Sequence, residues 1–362
     1  MEPELSFLRD NKVVDEATLD YLANFKFTGA VSGYREGEIY FGHSPILTVE
    51  ASFAQGVLLE TLLLSIMNYD SAIASAAARM RIAAGSRYLA EMGARRANEH
   101  AAVAASRAAY IAGFEATSNL EAHRTYGVPS MGTSAHSFTL LYETEQDAFT
   151  AQLASMGNET TLLVDTYEIE KAVRSAVELS GGKIAGVRID SGDLSSTAFK
   201  VRALLDDLGA HNTRIVVTSD LDEYTISGLQ AAPVDAYGVG TSLVTGSGHP
   251  TAGFVYKLVA HEANGEWVDV EKRSENKASK GGKKIASRLV ENSIAQAELV
   301  GDPIEGRALQ VKLIQEGEAV EELSQTERVE LAREHHAMAL AELPEAGRRL
   351  SQGEPVIPTM FG

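Results

Sequence analysis

The 362-residue sequence contains no cysteine. Disulfide bonds, zinc–thiolate sites, iron–sulfur clusters and thiol nucleophiles are therefore excluded, and a cytoplasmic setting is the simplest interpretation. Positive charge is also scarce, because 32 Lys and Arg residues stand against 50 Asp and Glu residues, which gives a formal net charge of −18. Such a charge repels polyanions, so we expect neither a nucleic-acid partner nor an anionic membrane surface. It remains compatible with a small anionic ligand held by a few arginines.

Long apolar runs are absent as well. No run reaches the roughly 18 residues that a transmembrane helix needs, and the first residues, MEPELSFLRD, lack the apolar centre of a signal peptide. We therefore expect no membrane partner. Hydrophobic residues make up 44% of the chain, an ordinary globular composition that excludes wholesale disorder. The length predicts two or three domains.

The most regular pattern lies between Thr160 and Leu243, where short apolar runs alternate with amphipathic helical segments. Buried strands that alternate with helices predict a parallel sheet, either open or closed into a barrel. Asp165, Asp190 and Asp220 each stand where such a run ends. The carboxyl edge of the sheet is where parallel α/β folds place their sites, so the sequence predicts a site there.

The flanking regions have other patterns. Leucine and alanine recur at helical spacing from Ser52 to Ala84, which predicts buried helical scaffold. A hairpin is predicted around the turn Asn264-Gly265, and a charged helix from Thr326 to Leu343. The pair His335-His336 on that helix is interpreted as solvated surface.

The segment GVRIDSGDL carries a cation and two carboxylates at a strand end. Arg188 and Asp190 are two residues apart and share a face of a strand, and the Ser191-Gly192 turn can bring Asp193 back towards them. Arginine grips an anion while carboxylates take hydroxyls or metal-bound water, so the set suits a magnesium-bound phosphorylated sugar. The alternative is that Asp193 or Ser191 only caps the following helix.

Two further segments carry groups that suit phosphate chemistry. GVGTSLVTG presents backbone N–H groups and hydroxyls near Gly240 and Thr241 that could cradle a phosphate, although a glycine-rich turn without a ligand is the alternative. In GTSAHSF, His136 stands among small residues, where an imidazole is accessible as a nucleophile or base. A structural histidine is the alternative.

Adjacent arginines occur in MGARRANEH. Neighbouring residues on a helix diverge, so at most one of Arg95 and Arg96 is expected to point into a site. A surface ion pair with a carboxylate is the alternative.

Taken in order, these segments resemble the nicotinate phosphoribosyltransferase family of type II phosphoribosyltransferases. The resemblance runs from about Phe27 to Lys257, and the matching stretches are EMGARRANE, GFEATSNLEA, GTSAHSF, LLVDTY, GVRIDSGDL, SDLDEY and GVGTSLVTG. It implies an irregular α/β barrel with parallel strands plus a smaller β-rich flanking domain. The implied parts are a flanking segment over residues 1–52, which packs with the C-terminal part, a catalytic barrel over 53–252, and a hairpin and helical part over 253–362 that completes the flanking domain.

The resemblance also implies a reaction. Nicotinate and phosphoribosyl pyrophosphate give nicotinate mononucleotide and pyrophosphate for NAD salvage, with coupled ATP hydrolysis. Mg²⁺ is the implied cofactor and ATP a co-substrate. The implied assembly is a homodimer with active sites at the subunit contact.

Roles carried over from the family concern the residues of the matching motifs. His136 matches the histidine that ATP phosphorylates, and Ser137 lies beside it. Asp190 and Asp193 are implied as catalytic groups that manage the ribose and Mg²⁺. The resemblance also implies that Arg95 and Arg188 hold the nicotinate carboxylate and the pyrophosphate-bearing substrate. Asp220 is implied near the ribose hydroxyls, and Gly240 and Thr241 at the 5′-phosphate. Ser118 is a neutral residue that favours a carboxylate substrate over an amide.

Three alternatives to an active enzyme of this kind remain. The family's Asp-x-Tyr element is expected ahead of MEPELSFLRD and is missing here, so the usual N-terminal segment is expected to be lacking. A silent or truncated paralogue that binds nucleotide or assembles with a partner is therefore one alternative. A quinolinate phosphoribosyltransferase is disfavoured by GTSAHSF. A sugar-phosphate aldolase or isomerase would need a strand-end lysine or glutamate, where this chain has Asp and Arg.

Overall fold

The computed structural model describes residues 2–272, 280–301 and 305–362. The helices are α1 (Glu2–Asp10), α2 (Glu16–Ala23), α3 (Phe53–Ala84), α4 (Glu99–Ile111), α5 (Leu120–Tyr126), α6 (His136–Leu141), α7 (Glu145–Met156), α8 (Ile169–Leu179), α9 (Leu194–Asp207), α10 (Glu223–Gly228), α11 (Thr241–Val244) and α12 (Gln325–Ala341). The strands are β1 (Ala30–Tyr34), β2 (Leu47–Glu50), β3 (Tyr88–Glu91), β4 (Ala116–Thr117), β5 (Thr161–Leu163), β6 (Gly186–Ile189), β7 (Arg214–Val217), β8 (Ala236–Val239), β9 (Ala260–Ala263), β10 (Glu266–Asp269), β11 (Ile285–Glu291), β12 (Ile294–Gly301), β13 (Arg307–Ala308), β14 (Gln310–Gln315), β15 (Glu318–Ala319) and β16 (Thr359–Phe361).

A six-stranded parallel sheet forms the centre of the molecule. Its strand order is β4-β3-β8-β7-β6-β5, and each neighbouring pair is parallel. All four residues of β8 are buried, as expected for a strand covered on both faces. Over the described ranges β4 and β5 are edge strands, so the sheet is an incomplete barrel. This confirms the predicted α/β fold class.

The helix α3 crosses from the surface into the core. Its second half is buried, with Ile73, Ala76 and Met80 in the main hydrophobic cluster, whereas Phe53 and Leu62 in its first half are exposed. Within the described part of the chain, α3 is the one helix long and apolar enough to cross a membrane. That criterion uses length and composition alone, and core helices of water-soluble proteins also meet it.

An antiparallel sheet joins the two ends of the chain. β1 pairs with β2 on one side and with β14 on the other, where Val31 lies opposite Ile314. A second sheet has the order β13-β11-β12-β16. The N-terminal residues also contain α1, a helix that the turn-rich pattern of this region does not predict.

The predicted hairpin is present as β9 and β10. Its turn residues Asn264 and Gly265 have φ values of 55° and 84°, which suit a tight hairpin turn. The predicted charged helix corresponds to α12, whose first turn is fixed by a capping box between Ser324 and Glu327.

The pair His335-His336 is not solvated surface, which corrects the interpretation from sequence. Both side chains face the N-terminal segment: His335 Nε2 lies 2.9 Å from Glu38 Oε2, and His336 Nδ1 lies 3.0 Å from the Gly37 carbonyl oxygen. Burial lowers the pKa of His336. The charged pattern of α12 gave no sign that another part of the chain covers this face.

A buried cluster of charges ties these segments together. Arg288 is fully buried, and its Nη1 lies 2.8 Å from Glu38 Oε1 while its Nη2 lies 3.3 Å from Glu298 Oε1. Burial raises the pKa of Glu38, but hydrogen bonds from His335 and Arg307 and the charge of Arg288 outweigh it, and the pKa falls to about 2. The N-terminal segment is thus held to β11 and β12 by ion pairs shielded from water.

We predict that Arg288→Met lowers the free energy of unfolding by about 3–5 kcal/mol, because it leaves Glu298 and Glu38 as buried carboxylates with a missing cation. Urea unfolding followed by circular dichroism at pH 7 measures this. The control is Arg174→Met, which removes an exposed pair with Glu170 and should change stability by at most about 1 kcal/mol. If Arg288→Met lowers the free energy of unfolding by less than about 1 kcal/mol, the prediction is wrong.

Candidate active site

The carboxyl edge of the parallel sheet gathers polar side chains from three neighbouring strands. Arg188 lies in β6, and Asp190 follows it directly, while Thr218 follows β7. Arg188 Nε donates to Thr218 Oγ1 at 2.9 Å, and Thr218 Oγ1 in turn donates to Asp190 Oδ1. Arg188 Nη2 lies 3.2 Å from Asp190 Oδ2. Arginine and carboxylate are therefore held in place before any ligand arrives.

His136 lies against this cluster. It is the first residue of α6, and its Nε2 atom lies 3.7 Å from Asp190 Oδ2 and 4.0 Å from Asp165 Oδ1. Its Nδ1 atom lies 3.1 Å from Thr166 Oγ1. The side chain is 40% exposed, so a ligand can reach it. The structure thus brings the His136 imidazole and the Arg188 guanidinium together at the Asp190 carboxylate.

The two ring nitrogens have different surroundings. Nδ1 lies within hydrogen-bond distance of the Thr166 hydroxyl, whereas Nε2 faces the carboxylates of Asp165 and Asp190 from beyond hydrogen-bond distance. The imidazole therefore has one nitrogen held by a hydroxyl and one turned towards two negative charges.

Asp165 belongs to the same cluster, although the sequence analysis only placed it at a strand end. Its Oδ2 atom accepts from the Asp190 N–H at 2.9 Å and from Ser191 Oγ at 2.6 Å. Its Oδ1 atom is buried and has no hydrogen-bond partner among the described residues. The position after β5 was the only sequence signal for it.

Glu145 is a site residue that sequence reasoning missed. It is the first residue of α7, and its Oε1 atom is buried without a hydrogen-bond partner in the described chain. Burial, together with the nearby charge of Asp165, raises its pKa to about 7. An acid in the first turn of a helix is common and gave no reason to single it out.

Some predicted residues also have structural roles. Asp193 caps α9, with its side chain accepting from the Ser196 N–H at 2.9 Å, so the capping alternative holds for this residue at least in part. In SDLDEY the cap of α10 is Asp222. Asp220 is exposed at the same edge. Catalytic or substrate roles for Asp193 and Asp220 stay predictions.

The other predicted contacts lie in turns at this edge. Arg95 and Arg96 are exposed in a short 3₁₀ turn after β3, and in the described chain no carboxylate forms an ion pair with either one. Ser118 is exposed after β4, and Ser137 is exposed in α6. The predicted phosphate-binding turn places Gly240 at the N-cap of α11 and Thr241 at its first position.

A magnesium ion would find few protein ligands here. The described residues contain no cluster of three side chains of the kind that binds a metal, and Asp190 is already engaged by Arg188 and Thr218. Mg²⁺ usually keeps several waters and binds through one or two carboxylates plus substrate phosphates. Asp190 and Asp193 therefore fit an ion that arrives on a phosphorylated substrate, and they do not form a complete protein site.

Two family profiles match the chain. The profile described as the nicotinate phosphoribosyltransferase (NAPRTase) family matches residues 88–313, and the profile described as its N-terminal domain matches residues 1–68. The chain belongs to the nicotinate phosphoribosyltransferase family. This confirms the resemblance, and it shows that the N-terminal domain of the family is present. The N-terminal segment that we expected to be lacking therefore does not include this domain.

Similar proteins carry the same name. The nicotinate phosphoribosyltransferase pncB1 of Mycobacterium tuberculosis is 51% identical over 364 residues, covering 96% of this chain and 79% of that protein. The nicotinate phosphoribosyltransferase of Bacillus subtilis is 40% identical, covering 78% of this chain and 65% of that protein. With the family profile, they support a phosphoribosyltransferase.

Solved structures have the same fold. Human nicotinic acid phosphoribosyltransferase superposes with a TM-score of 0.82 at 23% identity, covering 100% of this chain and 86% of that chain. A nicotinate-nucleotide pyrophosphorylase from Pyrococcus furiosus superposes with a TM-score of 0.74 at 25% identity, covering 87% and 82%. The family's fold is therefore present over the full described chain.

We predict that Glu145 makes stability depend on pH near neutrality. Its folded pKa of about 7 lies above the ordinary value, so the folded state binds the extra proton and the free energy of unfolding falls as pH rises from about 5 to about 7. Glu145→Gln should make this fall smaller. Urea unfolding at pH 5, 6, 7 and 8 compares the two proteins.

The exposed neighbour Glu143 supplies the control, because Glu143→Gln should leave the pH dependence of the wild type in place. If the Glu145→Gln curve parallels the wild-type curve across this range, the assigned protonation of Glu145 is wrong.

Proposed function

We propose that this chain is a nicotinate phosphoribosyltransferase that acts in cytoplasmic NAD salvage and couples the reaction to ATP hydrolysis through a phosphohistidine at His136. The observation that carries the proposal is the position of Asp190, whose carboxylate lies within 4 Å of both the His136 imidazole and the Arg188 guanidinium. One site thus offers a nucleophile, a cation for a pyrophosphate and a carboxylate for developing positive charge.

The transfer step needs charge stabilisation more than it needs proton transfer. The lone pair of the nicotinate ring nitrogen attacks the anomeric carbon of phosphoribosyl pyrophosphate, the bond from that carbon to the pyrophosphate oxygen breaks, and pyrophosphate leaves with the electron pair. The ribose passes through an oxocarbenium-like state, which fixed carboxylates such as Asp190 stabilise more than they stabilise the ground state. Arg188 suits the leaving pyrophosphate, and Arg95 suits the nicotinate carboxylate.

The ATP-coupled step uses the imidazole. A lone pair of a His136 ring nitrogen attacks the γ-phosphorus of ATP, an N–P bond forms, the bond to the β,γ-bridging oxygen breaks, and ADP leaves. Water later attacks the phosphorus, the N–P bond breaks, and inorganic phosphate leaves. Asp165 and Asp190 face Nε2 at 4.0 and 3.7 Å, and these carboxylates stabilise the positive charge that develops on the ring. A phosphohistidine adds nearly two negative charges beside the pyrophosphate position and can thereby drive product release.

The remaining ligands and the assembly complete the proposal. Mg²⁺ would arrive on phosphoribosyl pyrophosphate and reach Asp190 and Asp193 directly or through water, neutralising phosphate charge. A homodimer with its active sites at the subunit contact is supported by apolar side chains exposed near His136, Leu140 and Leu141 of α6, which a second subunit would cover. The silent or truncated paralogue is not favoured, because the site cluster and the N-terminal domain are both present.

We predict that the purified chain forms nicotinate mononucleotide from nicotinate, phosphoribosyl pyrophosphate and Mg²⁺, and that ATP stimulates the reaction. His136→Ala should lower the ATP-stimulated rate by at least about 100-fold, because the nucleophile is lost. Product formation and ADP release, both followed by chromatography, measure this.

The matched control is His211→Ala, because His211 is exposed in the α9–β7 loop at the opposite edge of the sheet. It should keep wild-type rates. Absence of nicotinate mononucleotide from the wild type would support the silent paralogue, and full ATP coupling in His136→Ala would refute the phosphohistidine.

A further inference from the structure

A buried carboxylate at the end of β3 is not used by the proposed reaction. Glu91 is fully buried, and both of its oxygens are occupied. Oε1 accepts from the Gly93 N–H, and Oε2 accepts from Ser106 Oγ at 2.9 Å and from Thr117 Oγ1 at 2.5 Å. One side chain therefore joins the loop after β3, the helix α4 and the end of β4.

Two of these contacts, those with Gly93 and Thr117, fix turns that carry a predicted substrate residue. Gly93 begins the 3₁₀ turn that contains Arg95. Thr117 Oγ1 accepts from the Asn119 N–H at 2.9 Å, and the Ser118 N–H donates to the Glu91 carbonyl at 2.8 Å. The main chain of Glu91 thus holds Ser118, and the neighbouring Thr117 is hydrogen-bonded to the Glu91 side chain.

The Arg95 turn is also packed against the predicted phosphate-binding turn. A Cβ atom at Gly93 would lie 2.9 Å from the Gly240 carbonyl oxygen and would collide with Val244 Cγ1. There is thus no room for a side chain at Gly93, because its backbone lies directly against the phosphate-binding turn. The hydrogen bond from the Gly93 N–H to the Glu91 carboxylate holds the Arg95 turn in this place.

Stability alone does not account for a carboxylate in this position. Burial of the acid disfavours its charged form and raises its pKa, with the hydrogen bonds from Thr117, Gly93 and Ser106 offsetting part of the effect. An apolar side chain would fill the space without that cost. What an apolar side chain cannot do is hold three donors from three separate segments at one point.

We propose that Glu91 is a positioning residue that sets the Arg95 and Ser118 turns at the distance from the phosphate-binding turn that a pyridine carboxylate requires. This inference rests on the proposed function. It assigns Glu91 to binding of the aromatic substrate, whereas phosphoribosyl pyrophosphate is held by the His136, Arg188 and Asp190 cluster and by the phosphate-binding turn, to which the Glu91 side chain forms no hydrogen bond. Loss of Glu91 should therefore weaken binding of nicotinate more than binding of phosphoribosyl pyrophosphate.

The test compares KM values, because KM does not depend on the fraction of the enzyme that is folded. Glu91→Ala should raise KM for nicotinate about tenfold or more, since a misplacement of about 1 Å in a binding group is enough for such a loss. KM for phosphoribosyl pyrophosphate should change less than about threefold. Glu91→Gln should stay within about threefold of the wild type for both substrates, because its amide can accept from Gly93 and donate to the two hydroxyls.

The matched control is Glu115→Ala. Glu115 lies just before β4 at the opposite edge of the same strands, and it accepts from the Leu89 N–H at 2.7 Å and from Arg81 Nη1 at 2.7 Å. Its loss should lower stability and leave both KM values within about threefold. If Glu91→Ala fails to fold, Thr117→Val, which removes one donor, should still raise KM for nicotinate selectively.

An active wild type in which the nicotinate KM of Glu91→Ala is unchanged, or in which both KM values rise equally, would overturn the inference. If Glu91→Ala does not fold, an unchanged KM for nicotinate in Thr117→Val would also overturn the inference. A wild type with no activity towards nicotinate would instead refute the proposed function itself.

Discussion

The parallel pairing of β6 between β5 and β7 is the constraint on which the candidate site depends. Leu163 lies opposite Arg188, and Ile189 lies opposite Val217, so the three strands end within one residue of each other. Asp190 then follows β6 beside Asp165 and Thr218. Because side chains alternate along a strand, a slip of one residue in this register would turn Arg188 to the other face and disperse the cluster.

The sequence predicts the features that depend on where a residue stands relative to the end of a strand. The alternation of apolar runs and helices predicted the parallel sheet, and the position of Asp190 at a strand end predicted that it would lie at the carboxyl edge. The small neighbours of His136 indicated an accessible imidazole, and the family resemblance supplied its expected role. In each case the residue's place in a local pattern carried the information.

The remaining features depend on contacts between distant segments, which a single sequence does not display. The charged pattern of α12 is that of a solvent-exposed helix, and only the packing of the N-terminal segment explains why His336 is buried. Glu91 has no pattern that distinguishes it from an acid on an edge strand. Its importance becomes visible when Gly93, Ser106 and Thr117 are seen to converge on it.

Two acids near the site, the buried Glu91 and the half-buried Glu145, show that hydrogen-bond partners decide how burial affects a carboxyl group. Glu91 has donors on both oxygens, so its carboxylate restrains the segments around it. Glu145 has an oxygen with no partner in the described chain, and its pKa is about 7. The first acid fixes geometry, while the second holds a proton that changes with the pH of its surroundings.

The pairing of β1 with β14 has a consequence for biosynthesis. Val31 emerges from the ribosome early, and its strand partner Ile314 emerges only when most of the chain has been made. The central sheet, whose strands end by Val239, is complete in sequence well before then. The N-terminal strand can pair early with β2, but its other edge must wait for β14 beside a domain that can already fold. Closing this long-range contact is expected to be a late and slow event in maturation.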